Sequence, residues 1–146
     1  LGAEKKTLSD KLQQRISDYT RQGGNLMLSG SYLGSILPAN LAQNTLKFTH
    51  GGSMYGITTG QVFGANTTLS FPTQVNEKSY AVPAPDCLLP TAGAYSTFVY
   101  TPGNYGAGIA YKGTDFRTFV LGFPFESIDN AQHRSRIMKA ALDLFK

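Results

Sequence analysis

Apolar positions recur with a helical period between Thr7 and Gln22, where Leu8, Leu12, Ile16 and Tyr19 share one face before Gly23-Gly24 stops the run. Thr7 with Asp10 three residues on reads as a capping-box pair. Residues 25–29 then bring Leu26, Met27 and Leu28 together, the pattern of a short strand covered on both faces. A helix running into a buried strand and a Gly/Ser turn, "SGSYLGS", is half of an α/β unit. The same style returns late in the chain. A buried strand spans 116–122, and a helix runs from Asp129 to the end, with Asp129 and Gln132 as its cap pair. Its core face is Ile137, Met138, Ala141, Leu142 and Phe145.

Between these ends the pattern changes. "LGSILPANLAQNTL" has room for one or two short helices, with Pro38 in a first turn. Residues 47–111 hold short β-prone runs, "TGQVFG", "TTLSFP", "STFVY" and "GAGIAYKG", between Gly, Pro, Asn and Thr turns, and read as a β-rich insertion or extension of the sheet. "YAVPAPDCLLPTAGAY" reads as a long extended surface loop, and "TPGNYGAG" as a turn between strands rather than a phosphate loop. A chain of 146 residues with these elements is expected to be one α/β domain, residues 1–146. A doubly wound sheet begins with a strand, whereas the first element here is a helix, so the carboxyl-terminal part of a larger α/β domain is the other reading of the same core.

Composition narrows the function more than the fold. Hydrophobic residues make up 41% and charged residues only 15%, which describes a folded chain with a sparsely charged surface. The net charge of +4 lies at the two ends, mixed with acids, while residues 22–111 contain only Lys47, Glu77, Lys78 and Asp86 as charged groups. A nucleic-acid surface needs clustered cations, so no nucleic-acid partner is expected. No apolar run reaches the length of a membrane span and no signal peptide is visible at Leu1. Cys87 is alone, and His50 and His133 have no second ligand at a helical spacing, so neither a disulfide framework nor a zinc site is expected.

"LSDKLQQRISDYTRQGGNLMLSGSYLGS" taken with "GIAYKGTDFRTFVLGFPFESIDNAQHRSRIMKAALDLF" resembles the class I glutamine amidotransferase-like superfamily. More closely, it resembles domains of large secreted Bacteroidetes proteins described as xanthan lyase-like. The resemblance implies an amidotransferase-like or flavodoxin-like core and an extracytoplasmic home. It also implies a strand-to-helix elbow that carries a cysteine nucleophile beside backbone donors, and a His and a Glu after the late strand. This chain departs from that pattern. Gly30 stands at the nucleophile position between Ser29 and Ser31, Glu126 stands where the His belongs, and Ile128 where the Glu belongs.

Glutamine hydrolysis is therefore not expected, and no cofactor is. A serine nucleophile, Ser29 or Ser31, needs a base from His50 or His133, and His133 is expected at the surface. Small residues at the elbow are explained more simply by close packing. A lyase would need a Tyr or His base and a group that neutralises a uronate carboxylate. His50, Tyr55, Tyr100, Asn104, Tyr105, Arg117 and Glu126 are the loose pieces, tied by no spacing. Tyr80, Tyr95, Tyr100, Tyr105 and Tyr111 are suited to stacking on sugar faces, but Tyr also packs well at a sheet rim, the simpler reading. Glu126 is placed either as a ligand group at the carboxyl end of the late strand or, preferably, at a helix start. The expected function is a non-catalytic carbohydrate-associated or interaction module of a larger extracytoplasmic bacterial protein, its partners a polysaccharide or other domains of that protein. The alternative is a polysaccharide lyase or hydrolase using a Tyr or His with Arg117 or Glu126. One observation separates the two: an enzyme gathers these groups in one cleft.

Overall fold

The computed structural model describes residues 8–57, 59–62, 68–70, 82–101, 103–128 and 130–146. Helix α1 (Asp10–Arg21) is followed by β1 (Leu26–Ser29), the single-turn helix α2 (Leu33–Ile36) and a π-helical turn, Leu41–Thr45. Strands β2 (Phe48–Ser53), β3 (Thr59–Val62), β4 (Thr68–Ser70), β5 (Asp86–Pro90), β6 (Ala94–Thr101), β7 (Tyr105–Lys112) and β8 (Arg117–Leu121) come next. A 3₁₀ turn at Phe125–Ser127 and helix α3 (Ala131–Leu144) complete the order.

Six strands form one sheet in the order β1-β8-β7-β6-β3-β4, and β2 pairs with β5 in a second, two-stranded sheet. β1 and β8 run parallel, Leu26 opposite Thr118 and Ser29 opposite Leu121, while β8, β7, β6, β3 and β4 pair antiparallel. The fold is thus mixed α/β on a mixed sheet. Within residues 47–111, β3, β4, β6 and β7 extend that sheet, with β6 and β7 in its middle, whereas β2 and β5 form the second sheet; the Gly103-Asn104 turn between β6 and β7 takes positive φ at both residues.

The alternation along β1 and β8 divides the core. Leu26, Leu28, Ile109 and Val120 pack with Leu8, Ile16, Leu33, Leu41 and Phe48 on one side, and Met27, Phe119 and Leu121 pack with Phe98, Phe123, Ile137, Ala141 and Leu144 on the other. β1 is covered on both faces as the apolar run requires, yet it lies at the edge of the sheet and is only half-buried.

Local signals start the helices one or two residues after the expected caps. Ser9, not Thr7, caps α1, its Oγ accepting from the Leu12 N–H at 3.3 Å; Thr7 lies outside the described residues. At the other end the Gly24 N–H reaches the Tyr19 carbonyl and the Gly23 N–H the Thr20 carbonyl, with Gly23 at φ +88, a left-handed helix stop. Asn130 caps α3, its Oδ1 accepting from the Gln132 and His133 N–H groups at 2.8 and 3.3 Å; Asp129 lies outside the described residues. Asn130→Ala is expected to cost about 1 kcal/mol in urea unfolding, because two first-turn donors lose their acceptor. The core face of α3 is also rotated. Ile137, Ala141 and Leu144 are buried, whereas Met138 and Leu142 are exposed.

The segment expected as a surface loop is overturned most clearly. Asp86, Cys87 and Leu88 are buried in β5, paired with β2. Pro83, Pro85 and Pro90 fall outside or at the end of the paired run, so the donors of residues 86–89 remain available to a ladder.

Candidate functional site

The carboxyl ends of β1 and β8 lie side by side, and the chain's chemistry gathers beyond them. The Gly30 N–H donates to the Leu121 carbonyl at 3.3 Å, the Ser29 Oγ accepts from the Phe125 N–H at 3.3 Å, and the Asp86 N–H donates to the Gly122 carbonyl at 2.7 Å. The start of β5 is thereby held against the end of β8. The Tyr100 hydroxyl adds a second tie, donating to the Asp86 carbonyl at 3.0 Å.

At the elbow after β1 the strained residue is Tyr32, at φ 61 and ψ 14, immediately before α2. Gly30 is not among the positive-φ residues. Ser31 is fully buried and its Oγ has no hydrogen-bond partner among the described residues. The amide of Gly34 then points at the Asp86 carboxylate, 2.9 Å from Oδ2. The other oxygen, Oδ1, lies 3.4 Å from His50 Nε2, an ion-pair distance rather than a well-formed hydrogen bond. Gly34 is what lets the imidazole in: a Cβ there would stand 2.2 Å from the ring carbon Cγ of His50.

Asp86 is completely enclosed, and burial raises its pKa above the usual carboxylate value, opposed by the Gly34 amide, His50 and the Leu33 amide. Burial likewise pushes the neighbouring Cys87 thiol up, the Asp86 charge adding to it while the Gly106 amide opposes. Tyr100 is driven well above its ordinary value by burial, then by Asp86 and Cys87. In all three groups burial disfavours the charged form. An accessible base is found in His50 alone among them, its side chain 28% exposed and backed by a buried carboxylate, the arrangement that orients an imidazole.

The sequence candidates sort by place. Ser29, Ser31, His50, Tyr100 and Glu126 all lie at this end of the sheet, with Glu126 exposed in the 3₁₀ turn rather than at the start of α3. Tyr100 is sealed in the core and is neither a sugar platform nor an accessible base. Arg117 opens β8 at the opposite end, its backbone N–H held by the Asn25 Oδ1 at 2.9 Å. His133 is half-buried rather than on the surface, its Nδ1 enclosed. Tyr95 and Tyr105 are exposed but occupy opposite ends of the β6–β7 hairpin, and Tyr111 lies beneath the Lys47 ammonium, 4.6 Å from its ring centroid. Tyr80 lies outside the described residues. Asp86 is the residue that sequence reasoning missed. Its one signal was a lone carboxylate in an apolar, proline-flanked run, "PAPDCLL".

Among the described residues no group of three or more His, Cys, Asp or Glu stands ready for a metal ion, and no helix is long and apolar enough to cross a membrane.

No family model matches the chain and no curated protein matches it. Solved structures do share its fold. A β-galactosidase from the Antarctic haloarchaeon Halorubrum lacusprofundi superposes at a TM-score of 0.64 with 16% identity, over 94% of this chain and 20% of that one. The exo-β-1,4-mannosidase Op5Man5 from Opitutaceae bacterium strain TAV5 does so at 0.60 with 8% identity, over 95% of this chain and 23% of that one. The mmIFT52 N-terminal domain matches at 0.60 with 13% identity, over 98% of this chain and 74% of its own. The chain thus spans only about a fifth of the length of these glycosidases.

Proposed function

We propose that the chain is a non-catalytic, carbohydrate-associated or interaction module of a larger extracytoplasmic bacterial protein, with an amidotransferase-like core of the kind found in xanthan lyase-like proteins. The observation that carries this reading is the state of the elbow. In an acyl-transfer site the backbone donors after the strand face a reacting oxygen. Here the Gly34 amide is occupied by the chain's own Asp86 carboxylate, and Ser31 nearby is enclosed. An elbow closed by an internal anion serves packing, not turnover. The carbohydrate association draws on glycosidases that carry this fold as a minor part of a longer chain.

A second reading, a polysaccharide lyase or hydrolase, has one observation in its favour. His50, partly exposed and backed by Asp86, lies at the same sheet end as Glu126. Tyr100 and Arg117 give that reading no help, the first sealed away and the second at the far end of β8.

The test is the ultraviolet absorbance of unsaturated uronate product, together with release of reducing ends, when the folded chain is mixed with xanthan and other acidic polysaccharides. Flat traces are expected. A signal that rises with time and disappears in His50→Ala would replace the module by an enzyme.

A further inference from the structure

The α3 face that turns away from the sheet does not look like an ordinary polar helix surface. Met138 and Leu142, one helical turn apart, are 37% and 53% exposed, and with half-buried Phe125 they floor a shallow groove of about 680 Å³. Its remaining walls are Arg134, Ser135, Lys139, Asp143 and Lys146. The one acid among them is already held. Lys139 and Lys146 both donate to Asp143, hydrogen bonds that keep its carboxyl ionised down to a pKa of about 2. Three cations and one committed anion leave the groove with an apolar floor and a basic rim.

We infer that this groove is a docking surface for an acidic amphipathic polypeptide segment, such as a neighbouring part of the larger protein; this rests on the module reading above. The floor selects the class of partner. Leu and Met side chains bury apolar side chains of another polypeptide, whereas a sugar face is better served by aromatic rings and hydrogen-bonding groups. The rim selects its charge. A second copy of the chain would set this net-positive face against itself, and like net charges there are repulsive. An acidic partner instead meets a rim that keeps a net positive charge after Asp143 has paired with Lys139 and Lys146. Helical spacing fits as well: Met138 and Leu142 present an i, i+4 pair of the kind that receives the apolar stripe of a helix laid along a groove.

The probe is a synthetic amphipathic helix of Leu, Ala and Glu, titrated into the isotope-labelled chain and followed by NMR at low and moderate salt. Saturable shifts confined to α3 and the 125–127 turn are expected, weakening as salt rises. Leu142→Ser and Lys139→Glu, both on exposed positions, are each expected to weaken binding about tenfold while the spectrum keeps its folded dispersion. Absence of binding overturns the inference. So does equal binding of polyglutamate, of the same helix with Lys for Glu, of an oligogalacturonate or of anionic lipid vesicles, and so does binding that Leu142→Ser leaves intact. The polysaccharide assay reads the opposite question. A flat assay with no peptide binding removes the groove alone, whereas turnover removes the module reading whatever the peptide does.

Discussion

Asp86→Ala is expected to destabilise the chain by about 2–4 kcal/mol in urea unfolding at neutral pH, among the largest losses available from a single side chain. Asp86 is wholly buried, and its carboxylate is the acceptor for the Gly34 amide and the counterpart of His50. Alanine leaves the Gly34 donor unpaired, removes the counterpart of His50 and leaves α2 without its anchor to β5. Asp86→Asn keeps an acceptor of the same shape and removes a desolvated charge, so its cost at neutral pH is expected to stay within about 1 kcal/mol.

The pH dependence of the Asp86→Asn difference checks the same geometry with a definite sign. Burial raises the folded-state pKa of Asp86 above its ordinary 3.8, so the folded chain binds this proton more tightly than the unfolded one. The stabilisation that follows is fully present below the unfolded value and is lost as pH rises through the folded one. Wild type should therefore gain on Asp86→Asn as the solution is acidified towards pH 3.8 and lose that advantage towards neutrality. A difference that moved the other way would mean that His50 and the two amides outweigh burial.

Gly122→Ala is expected to cost about 3 kcal/mol or more, or to prevent folding, because the new methyl meets backbone rather than a movable side chain. A Cβ at Gly122 would lie 2.2 Å from the Asp86 carbonyl oxygen and 3.1 Å from the Tyr100 hydroxyl oxygen. The two backbones cannot part to make room without giving up the 2.7 Å bond from the Asp86 N–H to the Gly122 carbonyl. Gly24→Ala is the matched control. The nearest atoms to its Cβ would be those of the Tyr19 ring, a side chain 51% exposed that can swing aside at the loss of its hydroxyl's 3.2 Å bond to the Asn25 carbonyl, so a loss of about 1 kcal/mol is expected there. Equal losses at the two glycines, measured by urea unfolding, would show that the junction of β5 with β8 is looser than these distances require.

Much of the scaffold was legible along the chain. Helix α1, β1, β8 and α3 each follow from a periodic or continuous run of apolar residues, and their order already implied a parallel α/β pair. The cap positions slipped because Ser9 and Asn130 offered side-chain acceptors beside the residues expected to cap. The site was far less legible. His50 could be named as one of two available imidazoles, but its partner was hidden in a stretch whose prolines read as loop. The rotation of α3 was hidden as well. Both Met138 and Leu142 carry core-type side chains, and only the position of the sheet decides that Ile137, Ala141 and Leu144 turn inward instead.

What the sequence determined by itself is the class of the elements at its two ends and that no cysteine stands in the Gly/Ser turn after β1. Periodicity, glycine stops and residue identity are local properties that need no neighbour to be read. The tertiary structure alone decided that Asp86 occupies the Gly34 amide and stands 3.4 Å from His50. It also decided that Tyr100 is sealed beneath the Asp86 carbonyl, and that a basic-rimmed apolar face stays open on α3. Each depends on groups far apart in the chain, Gly34 against Asp86 across 52 positions for one, and burial of a carboxylate becomes tolerable only where such distant donors converge on it.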